Sequence, residues 1–173
     1  MKIKHAFVFF AGLLIAGVAS AVEQSQFNGK DFTRNDAEWI AVLESDADVA
    51  AKRAACRELA VTGTAAAVPP LAELLRDAKL SHMARFALEH IPGAAADAAL
   101  IDALDDSEGE ALAALIASIG VRRIDAADTA LLEFLKHSDP AVVKAAANAL
   151  GRLATDRSIQ GLLSAWESAG SDQ

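Results

Sequence analysis

The chain has 173 residues, with 16 Lys and Arg against 24 Asp and Glu for a net charge of −8, and it is 53% hydrophobic but only 5% aromatic, with no Tyr. That length suits one domain with a core of its own. The acidic balance excludes a nucleic-acid scaffold, which needs a basic stripe to displace phosphate counterions, and it argues against binding to an anionic membrane surface.

In chain order, Lys2, Lys4 and His5 precede an uninterrupted apolar run from Ala6 to Val18, which Ala19-Ser20-Ala21 closes as an A-x-A cleavage signal. Residues 1–21 therefore read as a cleavable signal peptide, cut between Ala21 and Val22, and the mature protein is expected to be periplasmic or secreted. The apolar run falls short of the ~20 residues of a membrane span, so no membrane attachment is expected after cleavage. Cys56 is the only Cys, so no lipidated cysteine follows the cleavage point and no disulfide forms within the chain. Loss of Lys2 and Lys4 moves the net charge from −8 to −10.

Residues 22–34 (VEQSQFNGKDFTR) are mostly polar, with Asn28-Gly29 as a breaker. They are expected to form a poorly ordered lead-in from which Phe27 or Phe32 docks on the first helix. Helices then follow in pairs, at about 36–44 and 48–61, 66–76 and 80–90, 95–105 and 108–119, 126–137 and 140–152. An unpaired helix is predicted near 157–168, so a helical domain over 35–169 ends in a tail at 170–173. Asn35 or Asp36, Thr64, Ser107 and Asp139 are predicted helix caps; Pro140 suits a first turn, and Pro92-Gly93 is a stop.

Two leucine ladders tie the pairs together. Leu150, Ile119, Leu88 and Leu59 recur at spacings of 31, 31 and 29 in the second helices, and Leu135, Leu104, Leu75 and Leu43 at 31, 29 and 32 in the first. Such periods mark stacked helical repeats, each too small to bury its own apolar face. An Asp follows each first helix (Asp46, Asp77, Asp105 or Asp106, Asp139), placed to accept the unpaired N–H groups that open the next. The abundance of Ala favours closely packed helices, and β-branched alternation is absent. The predicted fold is all-α, a right-handed α–α superhelix, or solenoid, with about four pairs and a final half unit.

Ala147-Asn148-Ala149-Leu150-Gly151, Gly63-Thr64-Ala65-Ala66-Ala67-Val68-Pro69-Pro70-Leu71 and the run from Leu80 to Glu89 resemble HEAT repeats of the short, phycobilisome-lyase-like type. With Arg122-Arg123 they are similar to the N-terminal HEAT modules of exported proteins from planctomycete- and verrucomicrobium-like bacteria. The resemblance covers residues 36–168 and implies a fold more than an activity. Glu89 and Ala60 stand where such repeats often carry Gly, so those helix ends must close in another way.

Motifs for chemistry are sparse. His82 and His90 lie eight apart, without the i, i+4 spacing or the completing ligands of a metal site, and no cofactor is expected. His82, which shares its repeat position with Arg53 and Lys144, reads as a turn-pairing residue. Cys56 reads as a small buried hydrophobe, flanked by Arg53 and Arg57 but with no His nearby in sequence to act as a base. The carboxylates from Asp102 to Glu110 lack the intervals of a calcium loop and read as a solvated turn. Arg122 and Arg123, with Asp125 and Asp128, form the most charged connection, a candidate binding loop or a structural ion-pair network.

The expected function is that of an exported, non-catalytic protein–protein interaction scaffold. Second helices of such arrays line one surface, here carrying Lys52, Arg53, Arg57, His82, Arg85, Glu89, Lys144, Asn148 and Arg152. This basic row in an acidic chain suits an acidic peptide or a protein partner. Alternatives are a bilin-handling, lyase-like or chaperone-like role implied by the resemblance, and a structural fragment of a longer array. The last helix is expected to cap the array, burying Ile159, Leu162, Leu163 and Trp166 and leaving a monomer.

Overall fold

The helical spacing is realised in a computed structural model that describes residues 36–171. Helices α1 (Asp36–Glu44) and α2 (Val49–Thr62) form the first pair. A 3-10 turn (Ala65–Ala67) leads into α3 (Val68–Leu74), which pairs with α4 (Ser81–His90). The third pair is α5 (Ala94–Asp102) and α6 (Gly109–Arg122). A second 3-10 turn (Asp125–Ala127) opens α7 (Asp128–Phe134), which pairs with α8 (Pro140–Leu153). Helix α9 (Asp156–Ser171) follows unpaired and runs three residues beyond its expected end. No strand occurs among the described residues. The expected signal peptide, the expected lead-in with Phe27 and Phe32, and Asn35 lie outside the described residues.

Local chemistry sets the helix starts. Asp48 Oδ1 accepts from Ala51 N at 2.8 Å, and Asp139 Oδ1 from Ala141 N at 2.8 Å ahead of Pro140. Asp77 Oδ1 accepts from the amides of Lys79 and Leu80 at 2.7 and 3.0 Å. Thr64 Oγ1 caps Ala66 N at 3.3 Å, as expected. Three expected caps fall elsewhere. The first unit uses Asp48 in place of Asp46. Ser107 donates to Ala103 O at 2.8 Å and so closes α5, leaving the start of α6 without a side-chain cap. Asp36 accepts from Thr64 N at 3.0 Å and from its hydroxyl, which ties α1 to the second unit.

Second helices stack side by side, α2 on α4, α4 on α6 and α6 on α8, while α1, α3 and α5 adjoin in turn and α7 adjoins α9. Leu43, Leu59, Leu75, Leu88, Leu104, Ile119 and Leu150 are buried as the ladders require; Leu135 is half-buried, at a groove between α7 and α9. Helices α6 and α8 approach backbone to backbone: a Cβ on Gly120 would lie 2.8 Å from Ala149 Cα. Ala supplies the small cross-section that lets helices meet so tightly.

Helix α8 ends on Ala154 at φ 52°, in the left-handed region, where its N–H bonds to Leu150 O. A side chain is strained there, and Ala154 is exposed with no packing to lose. Ala154→Gly should therefore raise stability by ~0.5–1 kcal/mol, read by urea denaturation.

The orientation of α9 corrects the expected cap. It meets the fourth unit through small residues: Ser158 is buried, and Gly161 lies so close to Leu132 that a Cβ would be 2.1 Å from Leu132 Cδ2. Leu162 is half-buried, whereas Ile159, Leu163 and Trp166 are 48%, 57% and 80% exposed. The apolar stripe that was expected to face inward faces solvent. Ser158 and Thr155 hold the helix by donating to the buried Asp128, Ser158 Oγ at 2.7 Å.

Candidate functional site

The nine residues of the expected binding row lie on α2, α4 and α8, but they do not form one free basic surface. On α4, Arg85 Nη1 donates to Ser118 Oγ of α6 at 3.1 Å and to Glu89 Oε1 at 3.4 Å. Ser118 in turn donates to Glu89. Arg85 Nη2 lies 3.0 Å from His82 Nδ1; a guanidinium can only donate, so His82 accepts at Nδ1 and carries its proton on Nε2. Arg85 and Glu89 are mostly buried, and their charges offset each other in a tie between α4 and α6. Arg53 Nη2 donates to Lys79 O at 3.1 Å across the first two units.

Arg122 is a structural centre. Its side chain is 10% exposed and lies against Asp97, with Nε to Oδ1 at 2.7 Å and Nη2 to Oδ1 at 2.6 Å. Nη1 reaches the carbonyl oxygens of Leu88, Glu89 and Ile91 at 2.8, 2.9 and 2.7 Å. These oxygens belong to the end of α4, whose last carbonyls lack partners within the helix, so a guanidinium fork from α6 satisfies them. Arg122 thus pairs with Asp97, and not with Asp125 or Asp128 as the sequence suggested. Arg123 is exposed and ends α6 at φ 54°.

A family of acidic ties, not expected from the sequence, joins neighbouring elements. Asp36, Asp97 and Asp128 share one position in the first-helix ladder, through Val68 in the second unit. Each accepts hydrogen bonds from a neighbouring segment: Asp36 from Thr64, Asp97 from Arg122, Asp128 from Thr155 and Ser158. The recurrence of Asp at ladder spacing was the available signal.

What stays open to a partner is a groove of about 600 Å³ between α6 and α8, lined by Ala117 and Val121 on one side and Ala141, Lys144, Ala145, Asn148 and Arg152 on the other. Lys144, Asn148 and Arg152 recur every four residues and so form a row along α8. All three are exposed; neither cation is paired among the described residues, and no carboxylate lines the groove. Lys52 and Arg57 are likewise unpaired on α2, away from this groove.

Other candidates for chemistry are occupied by structure. His90 Nδ1 donates to Phe86 O at 2.8 Å, and His137 Nδ1 accepts from Asp139 N at 3.0 Å. Among the described residues no group of His, Cys, Asp and Glu gathers as a metal site, and no helix is long and apolar enough to cross a membrane. Burial pushes the Cys56 thiol up to about 11, so it stays protonated at neutral pH despite the flanking arginines. Native protein should accordingly leave a thiol reagent such as Ellman's unreacted at pH 8, and denatured protein should release one equivalent.

Helix pairs stacked with a common ladder, and no strand among the described residues, define an all-α helical-repeat solenoid. The family model for HEAT repeats matches residues 97–172, from α5 through α9, so the C-terminal part of the array is similar to HEAT repeats. Repeats of this kind generally serve as non-catalytic scaffolds for protein–protein contact. A search of the curated proteins finds none that matches the chain.

Proposed function

We propose that this chain is an exported, non-catalytic scaffold that binds an acidic segment of a protein partner in the groove between α6 and α8. One observation carries this reading: Lys144, Asn148 and Arg152 stand in a row over an alanine-lined groove, with no carboxylate to neutralise them in a chain of net charge −8. Lys144 and Arg152 are separated along the helix by roughly 12 Å. That matches acidic side chains about four residues apart on an extended peptide, at ~3.3 Å per residue. The Asn148 amide lies between them, able to donate to a peptide carbonyl or accept from an N–H.

Export is supported by the n-region, apolar run and A-x-A signal that end at Ala21, and by the resemblance of residues 63–89 to exported bacterial modules. Mass spectrometry of the exported fraction should find a mature chain beginning at Val22; full-length chain retained in the membrane would overturn export. A monomer is supported by acidic residues at the edge of the exposed α9 stripe, which oppose self-pairing.

The groove is tested with a fluorescein-labelled 12-residue peptide of alternating Glu and Ser, followed by anisotropy. The wild type should bind it, and a Lys144→Glu/Arg152→Glu variant should bind at least tenfold more weakly, because two attractions become two repulsions. Both positions are exposed, so melting should be unchanged. Equal binding by the two proteins would sink the assignment of this groove.

A further inference from the structure

The end of the array formed by α9 carries a second, chemically different surface. Ile159, Leu163 and Trp166 stand 31 residues after Asp128, Leu132 and Leu135. On α7 those positions receive the next helix: Leu132 packs on Gly161, Asp128 accepts from Thr155 and Ser158, and Leu135 lines the groove beside Ser164 and Ala165. The face exposed on α9 is therefore the one on which this array stacks a following helix.

Charge specifies that helix further. At 100° per residue, Asp156, Gln160 and Glu167 run along the solvent edge of the stripe, and all three are exposed. The equivalent edge on α7 already shows the expected chemistry, since Arg157 Nη1 of the incoming helix donates to Thr129 Oγ1 at 2.8 Å, and Thr129 is the counterpart of Gln160. Glu167 holds the ladder position of Arg76, which pairs with Asp106 beyond α5. With the sign reversed on α9, the incoming residue must be basic. A second copy is disfavoured by the same edge: a two-fold contact sets the Asp156–Glu167 edge of one chain against its own image, carboxylate against carboxylate.

We infer that α9 docks an amphipathic helix of a partner protein across Ile159, Leu163 and Trp166, with small and aliphatic residues at the contact and Lys or Arg along the edge facing Asp156 and Glu167. This surface does not depend on the α6–α8 groove.

The chain has two Trp, so Trp39→Phe leaves Trp166 as the sole indole reporter. Two designed 18-residue helical peptides with one Ala/Leu stripe, differing only in Lys or Glu along a single edge, serve as probes. The Lys-edged peptide should shift Trp166 emission to shorter wavelength and bind about three- to tenfold more tightly than the Glu-edged one, a preference that fades with added salt. Leu163→Glu and Ile159→Glu should each abolish the shift with unchanged circular dichroism, whereas Lys144→Glu/Arg152→Glu should leave it intact. No shift with either peptide, or equal binding of both, would overturn the inference. So would a shift on concentrating the protein alone with a doubling of mass by sedimentation, which would make the occupant a second copy.

Discussion

Leu88→Ala is expected to lower the stability of the array by ~2–5 kcal/mol. Leu88 is fully buried on α4, which lies between α2 and α6, so the lost carbon atoms leave a cavity that three helices cannot easily collapse. Chemical denaturation followed by circular dichroism measures the loss. Leu163→Ala gives the contrast on the same scale: its side chain is more than half exposed, and its change should stay within about 0.5 kcal/mol. Similar losses at the two sites would contradict the burial pattern on which the repeat rests.

Arg122→Met should be nearly as damaging. Methionine keeps much of the stem but leaves three carbonyls at the end of α4 and the Asp97 carboxylate without their donor. Asp97 retains some contact with water, which moderates the penalty, so a loss of ~2–4 kcal/mol is expected. Arg122→Lys should recover only part, because an ammonium cannot reproduce a planar fork that reaches a carboxylate and three carbonyls together. Full recovery by lysine would mean that charge alone sustains the tie. Amide exchange at the end of α4 should quicken in both variants.

The leucine ladders made the helix pairs legible, because burial at a fixed period leaves a trace in any sequence long enough to repeat. The ties between units left a fainter one. Arg85 reads as a surface cation in sequence, and Arg122 reads with the nearby Asp125 and Asp128, because their true partners lie on other elements, up to 34 residues away for Leu88. The orientation of α9 was misread for a different reason. The most apolar stripe of a helix usually faces inward, but α9 packs through the small residues Ser158 and Gly161, with Leu162 half-buried beside them, because small residues allow close approach. The α8 row was legible as residues; that no carboxylate shares its groove was not.

The contact of Gly120 with Ala149 has a consequence for timing. Two helices whose backbones touch cannot slide or splay without breaking that contact, so the floor of the α6–α8 groove is already set before a ligand arrives. A ligand entering it should meet a fixed template, with free and bound forms superposing and association showing a single phase at every concentration. Gly120→Ala would wedge the two helices apart, and its effect should appear as faster release with arrival little changed.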